Sequence, residues 1–290
     1  MKLISQLTMV LSGLVVMAGA ASAEMIQIKG SDTTINLSQK LAEIYMQQNP
    51  GVKISVTGGG SGTGIAALIN KKCSIANSSR AINAKEMESA TTAGVSPTRI
   101  VIAIDGLSVV VNAGNTVNKL TVEQIGKIYR GDVKNWSEVG GADMPINLYG
   151  RQSNSGTYGF FREVVLKGEY SSKMNSMNGS SQIVEAVKAD PSGIGYVGVG
   201  YVKSAIGINV VEVAFTANGT YKSPLDKQAV EAGTYPIARP LYQYVNGTPS
   251  GESKKLLQFE LSDEGQKIVE EEGFYTIAEE YKVQNAKSGL

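Results

Sequence analysis

Three clusters rich in Gly, Ser and Thr each stand between a short alternating apolar run and a helical apolar pattern. They span residues 30–34, 58–64 and 150–157, and the third contains Arg151. Backbone N–H groups, hydroxyls and a helix N-terminus together make a favourable environment for an anion. An arginine adds a planar fork that bonds two oxygens at once. The clusters therefore predict one oxyanion site to which each loop contributes.

Hydroxyl donors are expected from Thr33, Thr34, Ser61, Ser155 and Thr157, while Gly62 and Gly156 would let the backbone approach the anion. Taken singly, any one of these Ser or Thr residues is better explained as an ordinary helix N-cap. Asp32 has the same alternative, as an N-cap or an Asx-turn. The density of glycine in three clusters and the arginine in one of them favour the joint interpretation.

Composition restricts the other functions open to the chain. The chain has 290 residues, with no His and one Cys. Its formal net charge is +1, so it has no basic surface field that would attract nucleic acid. The single Cys73 excludes an intramolecular disulfide and a cysteine-based metal cluster, and a small buried role is expected for it. Absence of His removes the usual general base and nucleophile activator. No metal or organic cofactor is expected.

Nucleotide-binding motifs fit poorly. Residues 62–67 match the relaxed G-x-G-x-x-A fingerprint, but Glu86, the acidic residue about twenty positions on, falls in a polar helical stretch rather than at a strand end. No Lys-Ser or Lys-Thr closes a glycine run as a nucleotide phosphate loop requires.

The N-terminus has the pattern of an export signal. Lys2 precedes a mostly apolar stretch, and Ala21-Ser22-Ala23 fits a small-x-small cleavage site, so residues 1–23 are predicted to be removed. The apolar stretch is shorter than the ~20 residues of a spanning helix. No Cys follows for lipid attachment, and a soluble periplasmic protein is expected.

Apolar periodicity places the clusters on an alternating strand and helix framework. Strands are predicted at Ile26–Ile28, Val52–Val56, Ile100–Ile104 and Leu107–Val111, with helices after the first two clusters. A capping box at Thr121–Gln124 predicts another helix start. Short links between alternating elements favour an α/β protein with parallel pairing, and the length favours about two domains.

At these clusters the chain resembles the periplasmic phosphate-binding proteins of high-affinity phosphate ABC transporters. The resemblance covers nearly the whole mature chain, and its stretches are GSDTTINLSQKLAE from Gly30, GGGSGTGIAALIN from Gly58, IANSSR from Ile75, LTVEQIGKIYRGDVKNW from Leu120, RQSNSGTYGFF from Arg151, GIGYVG from Gly193 and YPIARPLY from Tyr235.

This resemblance implies a two-lobed type II periplasmic binding fold. Each α/β lobe would hold a mixed, mainly parallel sheet flanked by helices, and two crossing hinge strands would join them. Lobe 1 is expected at residues 24–106 and 240–290 and lobe 2 at residues 107–239, with the crossings at 105–112 and 239–244. Phosphate would be held in the cleft, and the lobes would close on it by a hinge motion.

The resemblance also implies the ligand contacts and partners. Phosphate-binding residues are expected to be Ser31, Asp32, Thr33, Thr34, Ile35, Ser61, Gly62, Ser79, Arg80, Arg151, Ser155, Gly156 and Thr157. Some family members place an Asp, which accepts the proton of hydrogen phosphate, where this chain has Ser79. Asp32 is the candidate substitute. The expected partners are inorganic phosphate and the permease subunits of the inner membrane, and the chain is expected to be a monomer without nucleic-acid partners.

Two alternatives stay open. A binding protein for another tetrahedral oxyanion, such as sulfate or molybdate, would use the same kind of site. A secreted phosphatase or esterase would need Ser61 or Ser155 as nucleophile, but no base is visible to activate either hydroxyl. The protein is therefore expected not to be an enzyme.

Overall fold

The computed structural model describes residues 25–290. The predicted signal segment and its cleavage after Ala23 lie outside the described residues. The strands are β1 Met25–Gly30, β2 Lys53–Thr57, β3 Ile75–Ser78, β4 Pro97–Gly106, β5 Ser108–Asn112, β6 Lys119–Thr121, β7 Asn147–Arg151, β8 Asn175–Met177, β9 Gly193–Val197, β10 Ile208–Val210, β11 Glu212–Ala214 and β12 Ala238–Asn246. The helices are α1 Ile35–Gln48, α2 Ser61–Ile69, α3 Ala84–Thr92, α4 Val122–Arg130, α5 Gly156–Phe161, α6 Ser180–Ala189, α7 Lys227–Glu231, α8 Gly251–Leu261, α9 Asp263–Glu271 and α10 Glu279–Lys287.

The first sheet has the strand order β2-β1-β3-β12-β4. Strands β1, β2 and β3 pair in parallel, as the short strand and helix alternation predicts, whereas β12 pairs antiparallel with both β3 and β4. Ile26 and Ile28 are buried on one face of β1, which explains the alternation of its sequence. The sheet is therefore mixed, with a parallel half and an antiparallel half.

The second sheet has the order β10-β5-β9-β7-β8 and is also mixed. The chain passes from the first sheet to the second at Leu107, between β4 and β5, and returns immediately before β12. The Leu107 N–H donates to the Ile237 carbonyl at 3.2 Å, so the two passages lie side by side. Strand β12 belongs wholly to the first sheet, including the stretch 239–244.

Local sequence signals account for several element boundaries. The Thr121 hydroxyl accepts from the Gln124 N–H at 3.1 Å and the Gln124 side chain accepts from the Thr121 N–H at 2.9 Å, which confirms the predicted capping box. Helix α1 ends at Gln48, directly before Asn49-Pro50-Gly51. The apolar runs at 100–104 and 107–111 are buried throughout, as expected for strands covered on both faces.

The loops that carry the predicted site follow the carboxyl ends of β1, β2, β3 and β7. In open α/β sheets this is the edge at which ligands bind. Across residues 25–290, no helix is long and apolar enough to cross a membrane.

Candidate functional site

Four buried hydroxyls from both sheets meet at one point. Thr33 Oγ1 lies 2.8 Å from Thr157 Oγ1, Ser79 Oγ lies 3.3 Å from Thr157 Oγ1, and Ser61 Oγ lies 3.3 Å from Ser79 Oγ. The Ser79 N–H also donates to Ser61 Oγ at 3.0 Å. These four residues, called the hydroxyl cluster below, bring together three loops of the first sheet and one of the second.

Secondary structure sets the position of each hydroxyl. Thr33 lies in the 3-10 turn Asp32–Thr34 that leads into α1, Ser61 is the first residue of α2, Ser79 follows β3, and Thr157 lies in the first turn of α5. The opening turn of a helix leaves its N–H groups without intrahelical acceptors. The cluster therefore lies beside the opening turns of α2 and α5.

Gly156 permits the close approach of the second sheet to this cluster. A Cβ at this position would stand 2.2 Å from Ser61 Oγ and 2.7 Å from Ser79 Oγ. A side chain here would force both serine hydroxyls to rotate, and because Ser61 Cβ would also lie only 2.9 Å away, α5 and α2 would have to move slightly apart. Glycine is thus required here by contact rather than by backbone conformation.

Arg151 lies at the end of β7 and is almost completely buried. Its guanidinium forms an ion pair with Asp32 of the first sheet, and it donates to the Asn178 carbonyl at 2.9 Å and to Ser180 Oγ at 3.2 Å. Asp32 also accepts from the Gly59 N–H at 2.9 Å. The ion pair links the two sheets directly beside Thr33.

A second buried ion pair lies behind the cluster, at the passage between the sheets. Arg239 of β12 donates to Asp105 of β4 from Nε at 3.0 Å and from Nη2 at 2.8 Å, and both side chains are buried. Burial lowers the pKa of Arg239 from its ordinary value, and Asp105 opposes that shift. The same guanidinium reaches Thr157 Oγ1 and the Ser79 carbonyl, each at 3.0 Å.

Several of the predicted site residues serve the loops rather than the cluster. Ser31 Oγ accepts from the Thr33 N–H, the Thr34 hydroxyl donates to the Ser31 carbonyl, and Ser155 Oγ accepts from the Tyr158 N–H as the N-cap of α5. Ile35 begins α1. The N-cap interpretation therefore holds for Ser155, whereas the cap of the Asp32–Thr34 turn is Ser31 and not Asp32.

Gly62 and Asn154 form a separate bond between the sheets. The Gly62 N–H donates to the Asn154 carbonyl at 2.9 Å, and the Asn154 amide donates to the Gly59 carbonyl at 2.8 Å. In this conformation the Gly62 N–H is therefore directed at Asn154 and not at the hydroxyl cluster.

The guanidinium of Arg80 bonds no member of the hydroxyl cluster, and its contact with phosphate stays a prediction beside the alternative of a structural ion pair. The guanidinium forms a two-point ion pair with Glu86, with both N–O distances 2.7 Å, and also donates to the Ala81 carbonyl. Glu86 is the N3 residue of the capping box that opens α3, so its carboxylate is fixed beside Arg80. The pairing, which raises the pKa of Arg80, supports a structural role.

Asp105, Arg239, Asn154 and Tyr201 are not among the site residues predicted from the sequence. Tyr201 donates its hydroxyl to the Asp32 carbonyl oxygen, and burial raises the pKa of Tyr201 to about 12, so the hydroxyl stays protonated. Asp105 had a signal in the sequence, because it lies between the two predicted buried strands 100–104 and 107–111, and a buried charge needs a partner. Arg239 stood only at the start of the predicted second crossing.

Cys73 is half-buried and packs beside a small apolar cluster of the first sheet. Burial raises the pKa of its thiol to about 11, which leaves it protonated at neutral pH. Within residues 25–290, no three Cys, Asp or Glu residues are grouped as a metal site would require.

Comparison with known proteins adds a family. A model described as a PBP superfamily domain matches residues 16–264. The phosphate-binding protein PstS of Pseudomonas aeruginosa is 33% identical over 266 residues, which cover 86% of this chain and 81% of the relative. The corresponding protein of Borreliella burgdorferi is 30% identical, covering 88% of this chain and 90% of the relative.

Solved structures agree with these relatives. A Clostridium perfringens substrate-binding protein assigned to phosphate ABC transport, with bound phosphate, has a TM-score of 0.78 and 29% identity, covering 88% of this chain and 100% of that one. An ABC-type phosphate transport receptor of Vibrio cholerae has a TM-score of 0.69 and 27% identity, covering 87% of this chain and 100% of that one.

Proposed function

We propose that this chain, which belongs to the PBP superfamily and within it to the phosphate-binding proteins of ABC transporters, is a receptor for inorganic phosphate. It binds the anion between its two α/β lobes and delivers it to a transporter permease for uptake. The proteins to which it is similar are named as binding proteins and receptors, and we propose that this chain likewise turns over no substrate.

The observation that carries the proposal is the convergence of hydroxyls from both sheets. Arg151 is linked to this cluster through its ion pair with Asp32, the neighbour of Thr33 in the chain. A phosphate dianion has four oxygens that each accept several hydrogen bonds, so its removal from water needs roughly ten donors. Hydroxyls, first-turn N–H groups of α2 and α5 and a guanidinium are such donors. The formal net charge of +1 gives no broad attraction, so local geometry must provide the affinity.

We assign the anion contacts to Thr33, Ser61, Ser79 and Thr157, to the guanidinium of Arg151, and to backbone donors at Thr34 and Gly156. The N–H groups of Ile35, Gly62 and Ser155 would join them by leaving the carbonyls of Asp32, Asn154 and Gln152. In this assignment the lobes comprise residues 24–106 with 238–290 and residues 107–237, which moves the predicted boundary at 239/240 to the start of β12 because all of that strand pairs within the first sheet. The lobes separate about the hinge to admit phosphate, and closure brings Ser61 and Thr157 to the ligand together.

Asp32 is the proposed acceptor for the proton of hydrogen phosphate. Its carboxylate accepts from Gly59 and pairs with Arg151, and each carboxylate oxygen retains a lone pair for one more donor. A charged acceptor favours a P–OH group and repels a fully deprotonated anion, which would separate phosphate from sulfate.

The proposed setting follows from the sequence pattern and the family. An export signal at residues 1–23 would place the mature chain in the periplasm, where it would act as a monomer and dock on permease subunits of the inner membrane.

Calorimetric titration with phosphate, sulfate and molybdate tests the function. We expect a saturable one-to-one heat with phosphate and weak or no heat with the others. A preference for sulfate or molybdate would reassign the ligand, and no heat with any of them would refute the receptor function. Release from a chromogenic phosphate ester above background would instead indicate an esterase or phosphatase.

A further inference from the structure

Arg239 is not a contact residue of the proposed anion site, but it forms a hydrogen bond to Thr157, which is one. It lies on β12 of the first sheet, and its Nη2 is 3.0 Å from Oγ1 of Thr157, which belongs to α5 of the second sheet. The guanidinium is buried, and the ring of Phe160 lies 5.0 Å from its central carbon. Its position relative to Thr157 is therefore constrained on several sides.

The chemistry of the two groups sets the direction of this hydrogen bond. A guanidinium has five N–H donors and no acceptor, so Thr157 Oγ1 must accept. A threonine hydroxyl has one proton of its own, which must then be directed elsewhere. The other polar groups around Oγ1 are Thr33 Oγ1 at 2.8 Å and Ser79 Oγ at 3.3 Å, both members of the hydroxyl cluster. The Thr157 proton consequently points into the cluster.

Asp105 holds the guanidinium in this orientation. Its Oδ2 accepts from both Nε and Nη2 of Arg239, and its Oδ1 accepts from the Val199 N–H of the second sheet at 2.8 Å. The remaining terminal nitrogen of Arg239 donates to the Ser79 carbonyl. Because the carboxylate neutralises the guanidinium, the pair adds little net charge at the site. Its contribution is orientation rather than attraction.

We propose that Arg239, locked by Asp105, is a positioning residue that turns the Thr157 hydroxyl proton toward the bound anion. The proposal rests on the phosphate-receptor function above. Without the guanidinium, the Thr157 hydroxyl would be free to donate its proton to other acceptors, and a donor prepared for the anion would be lost. A hydroxyl already oriented for the ligand costs less entropy on binding.

A double-mutant cycle separates this role from a merely structural one. The pair is replaced as a unit by Asp105→Asn with Arg239→Met, which leaves no unpaired buried charge and keeps an acceptor for Val199. The unit is made in the native chain and in Thr157→Val, and phosphate Kd is measured by calorimetry. We expect the double substitution to raise phosphate Kd at least about tenfold in the native chain and less than about twofold in Thr157→Val.

Arg239→Lys in the same two backgrounds is the second variant, because it keeps a cation opposite Asp105 but loses the planar fork. The matched control is Arg130→Lys, whose parent residue pairs with Asp132 and the Leu166 carbonyl, and it should change Kd less than about twofold in both backgrounds. Circular dichroism verifies that every variant is folded.

The proposal would be overturned if the double substitution, or Arg239→Lys, raised phosphate Kd by the same factor in the native chain and in Thr157→Val. Arg239 would then act on the fold and not through Thr157. Absence of phosphate binding by the native chain would refute the receptor function instead, so the two failures are distinguishable.

Discussion

At the scale of single residues, partners rather than residue types decide the role of a side chain. Sequence offers Asp32 two roles, as an N-cap or as a ligand residue. In the structure Ser31 caps the turn, and the Asp32 carboxylate binds Arg151 and the Gly59 N–H. The carboxylate therefore contacts the site residue Arg151 instead of capping the turn, and it is available for the selectivity role proposed above.

Asp32→Asn is expected to reduce the preference for phosphate over sulfate by at least about tenfold. The amide removes the charge that repels fully deprotonated anions and offers an N–H to sulfate in place of an acceptor. Calorimetric competition between the two anions gives the ratio. Asp132→Asn, an exposed carboxylate paired with Arg130, is the control. An unchanged preference would remove Asp32 from this role.

At the scale of elements, the first turn of α5 must lie against the start of α2. Gly156 is the point of contact, because it faces the hydroxyls of Ser61 and Ser79. Glycine clusters in the sequence suggest a close approach of backbone to an anion. In the structure the nearest neighbours of Gly156 are side chains of the opposite sheet, so its absence of a side chain also sets how closely the two sheets meet.

Gly156→Ala is expected to weaken phosphate binding at least about a hundredfold, because the added methyl collides with Ser61 Oγ and keeps the anion donors of the two sheets apart. The melting temperature should change by only a few degrees, since neither sheet is altered. Gly179→Ala is the matched control, because a Cβ there meets nothing within 4 Å. Affinity close to that of the native chain would show that closure tolerates the methyl group.

Helix α8 carries an acid that is unrelated to the site. Glu260 is fully buried, the only hydrogen-bond partner of its carboxyl among the described residues is the Gln243 amide of β12 at 3.4 Å, and its Oε2 has no partner there. Burial raises the pKa of Glu260 from 4.5 to about 8, with Gln243 opposing the shift. The carboxyl is thus protonated in the folded protein at neutral pH.

This residue makes folding stability depend on pH. From pH 4.5 to about 8 the unfolded chain has released the Glu260 proton while the folded chain retains it, so the free energy of unfolding falls as pH rises, by up to about 5 kcal/mol, and then levels off. Glu260→Gln should abolish this fall and raise the melting temperature at pH 8. Exposed Glu88→Gln is the control, and chemical denaturation at several pH values is the measurement. A native chain with equal stability at pH 5 and pH 8 would contradict the prediction.

At the scale of the whole molecule, ligand binding and folding are linked through the contact between the sheets. The Asp32–Arg151 pair, the Gly62–Asn154 bond and the Asp105–Val199 bond all join one sheet to the other. A ligand that binds only when these surfaces meet stabilises the folded protein by mass action.

Phosphate at a hundred times its Kd should therefore raise the free energy of unfolding by about 2.7 kcal/mol, which is a rise of several degrees in melting temperature for a chain of this size. A thermal melt with and without phosphate provides the measurement, with Thr157→Val expected to shift less at the same concentration. An identical shift with equimolar sulfate would show a general salt effect rather than binding.

Sequence by itself determined the framework and most of the loops. Periodicity and capping predicted the strands at 26–28, 52–56, 100–104 and 107–111 and the start of α4, because these signals are local and lie within one element. They missed α7 and α10, short helices in polar stretches with a weak apolar pattern. The resemblance to the family rested on seven stretches, several of which contain the loops of the site.

Tertiary structure alone decided which of these residues meet. Thr33 and Thr157 are 124 positions apart, and Asp105 and Arg239 are 134 positions apart, so no local pattern could pair them. The tertiary structure placed Thr33, Ser61, Ser79 and Thr157 in one cluster, whereas Ser31 and Ser155 are capping residues. It also paired Arg80 with Glu86. The physical reason is that a hydroxyl or a charge is satisfied by whatever partner the packing of the two sheets brings within about 3 Å, and that distance is set by the whole fold.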